Sequence, residues 1–438
     1  MTRKKLVIGI LLLMAAAGVF LAFQQLSAFF ASTGSDNASN HVLGLRIPWK
    51  GYSGRGEAVS RITETYNQKE NPGRKVIVEN GDEDIQTIGS LLKSDTQTVF
   101  VLPYRFVRYF GMKGSLADLT EHFADANALF FPQIWELGTY ESAVYGVPWL
   151  GHSMGLLYNK ALLDKAGVDP TSITSLDALV EAMKKVEAAT DACGIGLVGA
   201  DSNDVSWMVN QFVYGFGASL VSEDGKNVAA NSSKARDALV FYRDVLGSHA
   251  QPTWREDTGI EVMERFLKQE VAFEIQGIWG VTDIQKNGSP FEVGVIALKD
   301  IGLCAEVGPM MLAISSAMDE KTKEEAFRLM RHLISYDAQE QIMKGEYSPE
   351  HDTHYPFRTP IRMDMADSAI FYSRPEYLAF IRGFESPSID VPVPEWQEVK
   401  SQIYEPGLSR VMRGELPVNE FLNMLEAEGN KMLNGPQD

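Results

Sequence analysis

Between Tyr145 and Pro170 the chain changes its backbone demands several times within a short stretch. In Tyr145-Gly-Val-Pro-Trp149, Gly146 and Pro148 interrupt an extended segment, and Met154 to Tyr158 then reads as a short apolar strand. Asp164 to Val168 has the form of a helix end, with Gly167 at the C′ position and Pro170 just beyond it. One strand therefore leaves a packed unit and another enters the next. A few such element-terminal residues can absorb the φ/ψ change of a domain hinge, although a plain strand-loop-helix unit of any α/β protein has the same local pattern.

The flanking sequence alternates strand and helix signals. Val42 to Ile47, Lys75 to Glu79 and Thr98 to Leu102 read as strands, separated by amphipathic helices over Glu57 to Glu70 and Asp84 to Leu92. This order predicts a parallel sheet flanked by helices. Further on, helices are expected over 176–189, 207–215, 233–246 and 259–269, and strands over 194–198, 271–275, 291–298 and 307–315. Helices over 320–333, 337–344, 375–383, 394–413 and 418–433 close the chain. Gly308-Pro309 marks a second crossing between units, and Ser348 to Pro360, rich in proline and carrying Arg358, a third.

A length of 438 residues accommodates two domains with real cores. The 58 acidic against 40 basic side chains give a net charge of −18. That balance argues against non-specific binding to nucleic acid or anionic membranes. The two cysteines, Cys193 and Cys304, lie far apart in sequence, so a disulfide between them is possible but unforced.

The N-terminus carries an export signal: Arg3-Lys4-Lys5 precedes the uncharged run Leu6 to Phe23, and a second apolar patch reaches Ala31. The run sits at the lower edge of a bilayer-spanning length, and its basic flank would stay inside. Signal-peptidase sites after Ala28 or Ala31 have Leu26 or Phe29 where a small residue is preferred. An uncleaved anchor and an inefficiently cleaved signal both stand, with residues 1–31 as signal or anchor and 32–41 as a polar tether.

From Val42 to Asn434 the ordered series of segments resembles the extracellular solute-binding proteins of ABC importers, in the carbohydrate-binding cluster related to maltose-binding protein. The resemblance is carried by Ser115-Leu-Ala-Asp-Leu119, Glu141 to Ala166 with Tyr158-Asn159-Lys160, Phe266 to Phe273 with Gly277-Ile-Trp279, and Ala326 to Gln339. It implies a two-lobed α/β fold of the periplasmic-binding-protein type, each lobe a sheet flanked by helices, joined by a multi-strand hinge and ending in C-terminal helices. The expected lobes are 42–150 with 310–347, and 151–309 with 360–434, with 348–359 as the hinge return. Gln97-Thr98-Val99 stands where many relatives have Pro-Asp-Val, and no lipid-attachment cysteine follows the N-terminal run.

Ligands in open α/β sheets sit outside the carboxyl ends of the strands. That rule singles out Trp49-Lys50, Asp82-Glu83 and Tyr104-Arg105, each directly after a strand. A sugar presents apolar C–H faces and a rim of hydroxyls, so its site needs flat aromatic surfaces and polar partners. Of the seven tryptophans, Trp49, Trp149, Trp207, Trp279 and Trp396 occupy loop-edge positions, while Trp135 reads as core. The resemblance places Trp279 and Trp396 on the ligand, and Lys50, Arg105 and His152 among its polar contacts. The candidate ligand-binding set is Trp49, Lys50, Glu83, Tyr104, Arg105, Trp149, His152, Trp207, Trp254, Trp279, Arg358 and Trp396.

Gly194-Ile-Gly-Leu-Val-Gly199 matches a dinucleotide fingerprint only as a string, because its apolar residues form the strand itself. No P-loop, HExxH or GxSxG occurs, and His351 and His354 read as solvated loop residues rather than metal ligands. No catalytic residue, metal or cofactor is expected. The expected function is the extracytoplasmic substrate-binding component of an ABC transporter: a monomer that captures a sugar or oligosaccharide and hands it to the permease's transmembrane subunits. A surface sensor of the same fold signalling to a kinase, and an extracellular carbohydrate-active enzyme, are the alternatives.

Overall fold

A computed structural model describes residues 42–435 apart from 50–55, 71–72, 82–83, 287, 289, 366–367, 373, 390 and 392. The N-terminal signal or anchor, the 32–41 tether, Lys50 and Glu83 lie outside the described residues. Among the described residues no helix is long and apolar enough to cross a membrane.

The strands are β1 (Val42–Ile47), β2 (Lys75–Asn80), β3 (Thr98–Pro103), the hairpin pair β4 (Thr139–Tyr140) and β5 (Ala143–Val144), β6 (Val147–Asn159), β7 (Cys193–Gly196), β8 (Val271–Gly277), β9 (Val293–Ile296), β10 (Ala305–Ile314), the hairpin pair β11 (Glu346–Ser348) and β12 (Thr353–Tyr355), and β13 (Pro387–Ser388). The main sheet runs β2-β1-β3-β10-β6-β8-β7, with β9 also on β6 and β13 on β10. The pairs β1–β2, β1–β3 and β7–β8 are parallel, while β6 and β10 run antiparallel to their neighbours in this path. β3 and β10 are buried along their whole length. This accounts for their near-continuous apolar runs, since helices cover both faces of such strands.

The molecule is two-lobed because β6 and β10 serve both halves of the sheet. β6 pairs with β10 over Val147 to Ser153, then with β8 from Met154 to Tyr158. Met310 to Ile314 of β10 lie against β3, and Val307 to Leu312 against β6. Where these strands cross from one lobe to the other, small residues are required. A Cβ on Gly151 would lie 2.5 Å from the Thr359 carbonyl oxygen, and one on Gly308 would lie 2.3 Å from the Tyr104 ring. The third crossing is held there by the Thr359 N–H, which donates to the Gly151 carbonyl at 3.1 Å.

Local signals set the helix ends. Ser175, Asn159 and Ser335 accept from the backbone as N-caps, and Thr258 with Glu261 forms a capping box. Two sequence expectations need correction. The interruption at Gly146 and Pro148 does not end the strand, because β6 is one 13-residue element; Pro148 is tolerated beside the bulge between Met310 and Met311. In addition, residues after Gln276 are not an open loop: Ile278–Lys286 is a helix. Arg362 bridges to Phe130, and its Nη1 donates to the Ile334 carbonyl at 2.7 Å.

Candidate functional site

Five candidate side chains from separate elements meet between the lobes. Trp49 follows β1, His152 lies in β6, Trp207 in the helix Asn203–Gly215, Trp279 in the helix Ile278–Lys286, and Arg358 on the third crossing. Trp207 stacks on Trp279 with centroids 5.6 Å apart and planes 11° from parallel. His152 meets both rings edge-on, at 5.8 and 6.1 Å. The Arg358 guanidinium lies 4.8 Å over Trp49 and 5.1 Å over Trp279, so it joins a ring of the first lobe to a ring of the second. Phe357, which the sequence did not single out, adds an edge contact to Trp49 at 6.4 Å.

Polar groups surround these rings. His152 Nε2 lies 3.4 Å from Glu306 Oε1, and both side chains are buried. The Glu306 N–H donates to Gln211 Oε1 at 3.3 Å. Tyr104 and Arg105 open the helix that follows β3. With the Asn203 amide oxygen turned towards it, Arg105 Nη2 donates at 3.0 Å while Asn203 Nδ2 donates to Glu405 Oε1 at 3.2 Å. That contact crosses from the first lobe to the second, as do the Tyr109 hydroxyl bond to Glu398 at 3.2 Å and the Lys113–Glu398 ion pair.

Two concavities are found elsewhere, and none of the five clustered side chains lines either of them. One of about 620 Å³ lies beyond the helix after β3, lined by Arg108, Tyr140, Glu141, Lys226 and Glu395. The other, about 700 Å³, lies beside the ends of β1 and β2, lined by Ile47, Glu57, Arg61, Tyr347 and His354. Both are in the size range of small-molecule sites.

Three candidate tryptophans do not join this group. Trp149 is fully buried in β6, where its carbonyl accepts from Gln339 Nε2 at 2.9 Å. Trp254 is packed inside the second lobe, edge-on to Tyr242 at 6.3 Å, with Arg255 over its ring. Trp396 is also fully buried, 5.6 Å from Tyr404, which stacks in turn near Phe421 of the last helix. A tryptophan near a proline or a loop satisfies the loop-edge pattern equally well when its ring turns inward. Trp135 is buried and stacked on Phe130, as a core residue should be.

Glu306, Asn203 and Glu405 were missed. A lone carboxylate inside the apolar run Ala305 to Ile314 was the available signal for Glu306, since a buried charge needs a reason. Among the described residues no cluster of three His, Cys, Asp or Glu side chains is placed to hold a metal ion. Cys193 and Cys304 are free thiols.

The fold is two α/β lobes joined by shared strands, the architecture of solute-binding proteins. The chain belongs to the bacterial extracellular solute-binding protein family, whose model matches residues 51–340. A lactose-binding protein of Rhizobium radiobacter is 29% identical over 191 residues; the match spans 43% of this chain and 43% of the relative. Among solved structures, a solute-binding protein of Thermotoga lettingae bound with α-D-tagatose superposes with a TM-score of 0.78 at 22% identity, covering 90% of this chain and 99% of the other. A maltose-bound protein of T. maritima gives the same TM-score at 20% identity and the same coverages. The acarbose-binding GacH receptor of Streptomyces glaucescens gives 0.73 at 19%, covering 90% and 98%.

Proposed function

We propose that this protein is the substrate-binding component of an ABC importer, that it captures a sugar or oligosaccharide between its lobes, and that it delivers it to a membrane permease outside the cytoplasm. The observation that carries this reading is that the Arg358 guanidinium lies over both Trp49 and Trp279, with Trp207 and His152 against Trp279. Flat rings suit the C–H faces of a pyranose, and Arg, His, Glu and Asn groups suit its hydroxyls. Rings drawn from both lobes give the solute more contacts in the closed state than in the open one, which is what a binding-driven population shift requires. The moving bodies would be 42–150 with 310–347, and 151–309 with the C-terminal helices. The lactose, tagatose, maltose and acarbose ligands of the similar proteins support a carbohydrate as the cargo class.

In this reading Trp279→Ala costs a bound sugar roughly 1 kcal/mol or more, the scale of a lost aromatic contact. Isothermal titration with maltose, lactose and D-tagatose is the check. Unchanged affinity for a sugar that the wild type binds, together with a large loss of stability, would make Trp279 a packing residue and remove the main support for the site.

A further inference from the structure

Arg358 lies over three aromatic rings. Its guanidinium is planar, is buried with only 5% of the residue exposed, and lies within stacking distance of Trp49, Trp279 and Phe357, at 4.8, 5.1 and 5.4 Å. A guanidinium stacks on aromatic faces much as a sugar ring does, and its attraction to them grows when water is excluded. The residue is not on either lobe's own sheet. It sits on the third crossing, one position before Thr359, whose backbone is tied to Gly151 in β6. Its backbone is thus fixed at the hinge while its head group touches a ring from each lobe.

We infer that Arg358 is an internal occupant of the aromatic slot: it clasps the two lobes together without a solute, and a solute gains the Trp49–Trp279 slot by displacing it. This deepens the sugar-binding reading and rests on it for the displacement step, but the clasp itself does not. The arrangement makes Arg358 a determinant of both affinity and selectivity. A ligand must stack better than the guanidinium does to take its place on the rings. The affinity of the intact protein is reduced by the fraction of molecules in which the slot is already filled.

Arg358→Ala in the full chain tests this, with two readouts. Without any sugar, small-angle scattering of the variant should show a larger radius of gyration than the wild type, because the contact between the lobes' rings is gone. With maltose, lactose and D-tagatose as probes, the variant should bind whichever sugar the wild type binds roughly tenfold more tightly, since the competing occupant is removed. Arg358→Lys keeps a cation but not the plane, and should fall between the two; it also serves if the alanine variant does not fold. An unchanged radius of gyration overturns the clasp, and weaker sugar binding overturns the displacement by making Arg358 a direct ligand contact. If none of the three sugars binds the wild type, the carbohydrate reading fails on its own and the scattering result still decides the clasp.

Discussion

Trp396→Ala is expected to lower the unfolding free energy by about 3–5 kcal/mol, the range for removing a large aromatic from a packed core. The ring has no exposed surface, and it anchors the segment Trp396–Val399 against Tyr404, whose hydroxyl donates to Asn210 Oδ1 at 2.7 Å. Losing it would leave a cavity under the C-terminal helices that this polar bond prevents from collapsing freely. The melting temperature should fall by roughly 10 °C, given that each kcal/mol is worth a few degrees in a domain of this size. Urea unfolding followed by fluorescence and far-UV circular dichroism together would measure it, since two lobes need not unfold in one step. The resemblance assigned Trp396 to the ligand. Full stability with impaired sugar binding would restore that assignment against the packing described above.

Raising the pH from about 4.5 to about 7 should destabilise the protein by about 3 kcal/mol through Glu346 alone. This carboxyl is buried in β11. Burial pushes its pKa up from 4.5 to about 7, although Lys286 and the Ala58 N–H, 3.4 Å from Oε1, act to lower it. The folded state therefore holds a proton that the unfolded chain releases. The resulting stabilisation is fully present below about pH 4.5, is lost as pH rises towards 7, and stays lost above it. Glu274, fully buried in β8, is pushed well above the carboxylate range by burial and then by Asp283, so it slopes the same way. Glu346→Gln should flatten the curve of unfolding free energy against pH between 4.5 and 7. Curves for wild type and variant that run parallel across that window would show that Glu346 is not the cause. Lys286, paired with Glu57 at 2.7 Å and 4.0 Å from Glu346, keeps the site from being costlier still.

Much of the fold was legible because periodicity is local. The helices Leu176–Ala189, Glu320–Leu333 and Val418–Leu433 and the strand Val42–Ile47 lie where their apolar spacing and caps put them. The two central strands of the sheet, β6 and β10, carry Pro148 and Gly308-Pro309, whose backbone limits do not depend on the rest of the molecule. What the sequence hid was orientation. Trp49 and Trp279 lie under Arg358, with Trp207 stacked on Trp279, whereas Trp254 packs on Tyr242 and Trp396 on Tyr404. Both outcomes follow a similar local pattern, because a ring's direction is set by tertiary packing. The helix Ile278–Lys286 was hidden for a related reason: Gly277 and Gly280 lower its propensity, and Gly280 is required where a Cβ would lie 2.5 Å from Gln276.

Hydrogen–deuterium exchange of the full chain with and without a saturating sugar, chosen from maltose, lactose and D-tagatose by titration, tests most directly whether one solute is gripped from both sides. The expected result is simultaneous protection at the end of β1 with Trp49, along Asn203–Gly215 and Ile278–Lys286, and at Phe357–Thr359. Saturable binding that slows exchange in one lobe only, leaving the other at its ligand-free rate, would contradict it.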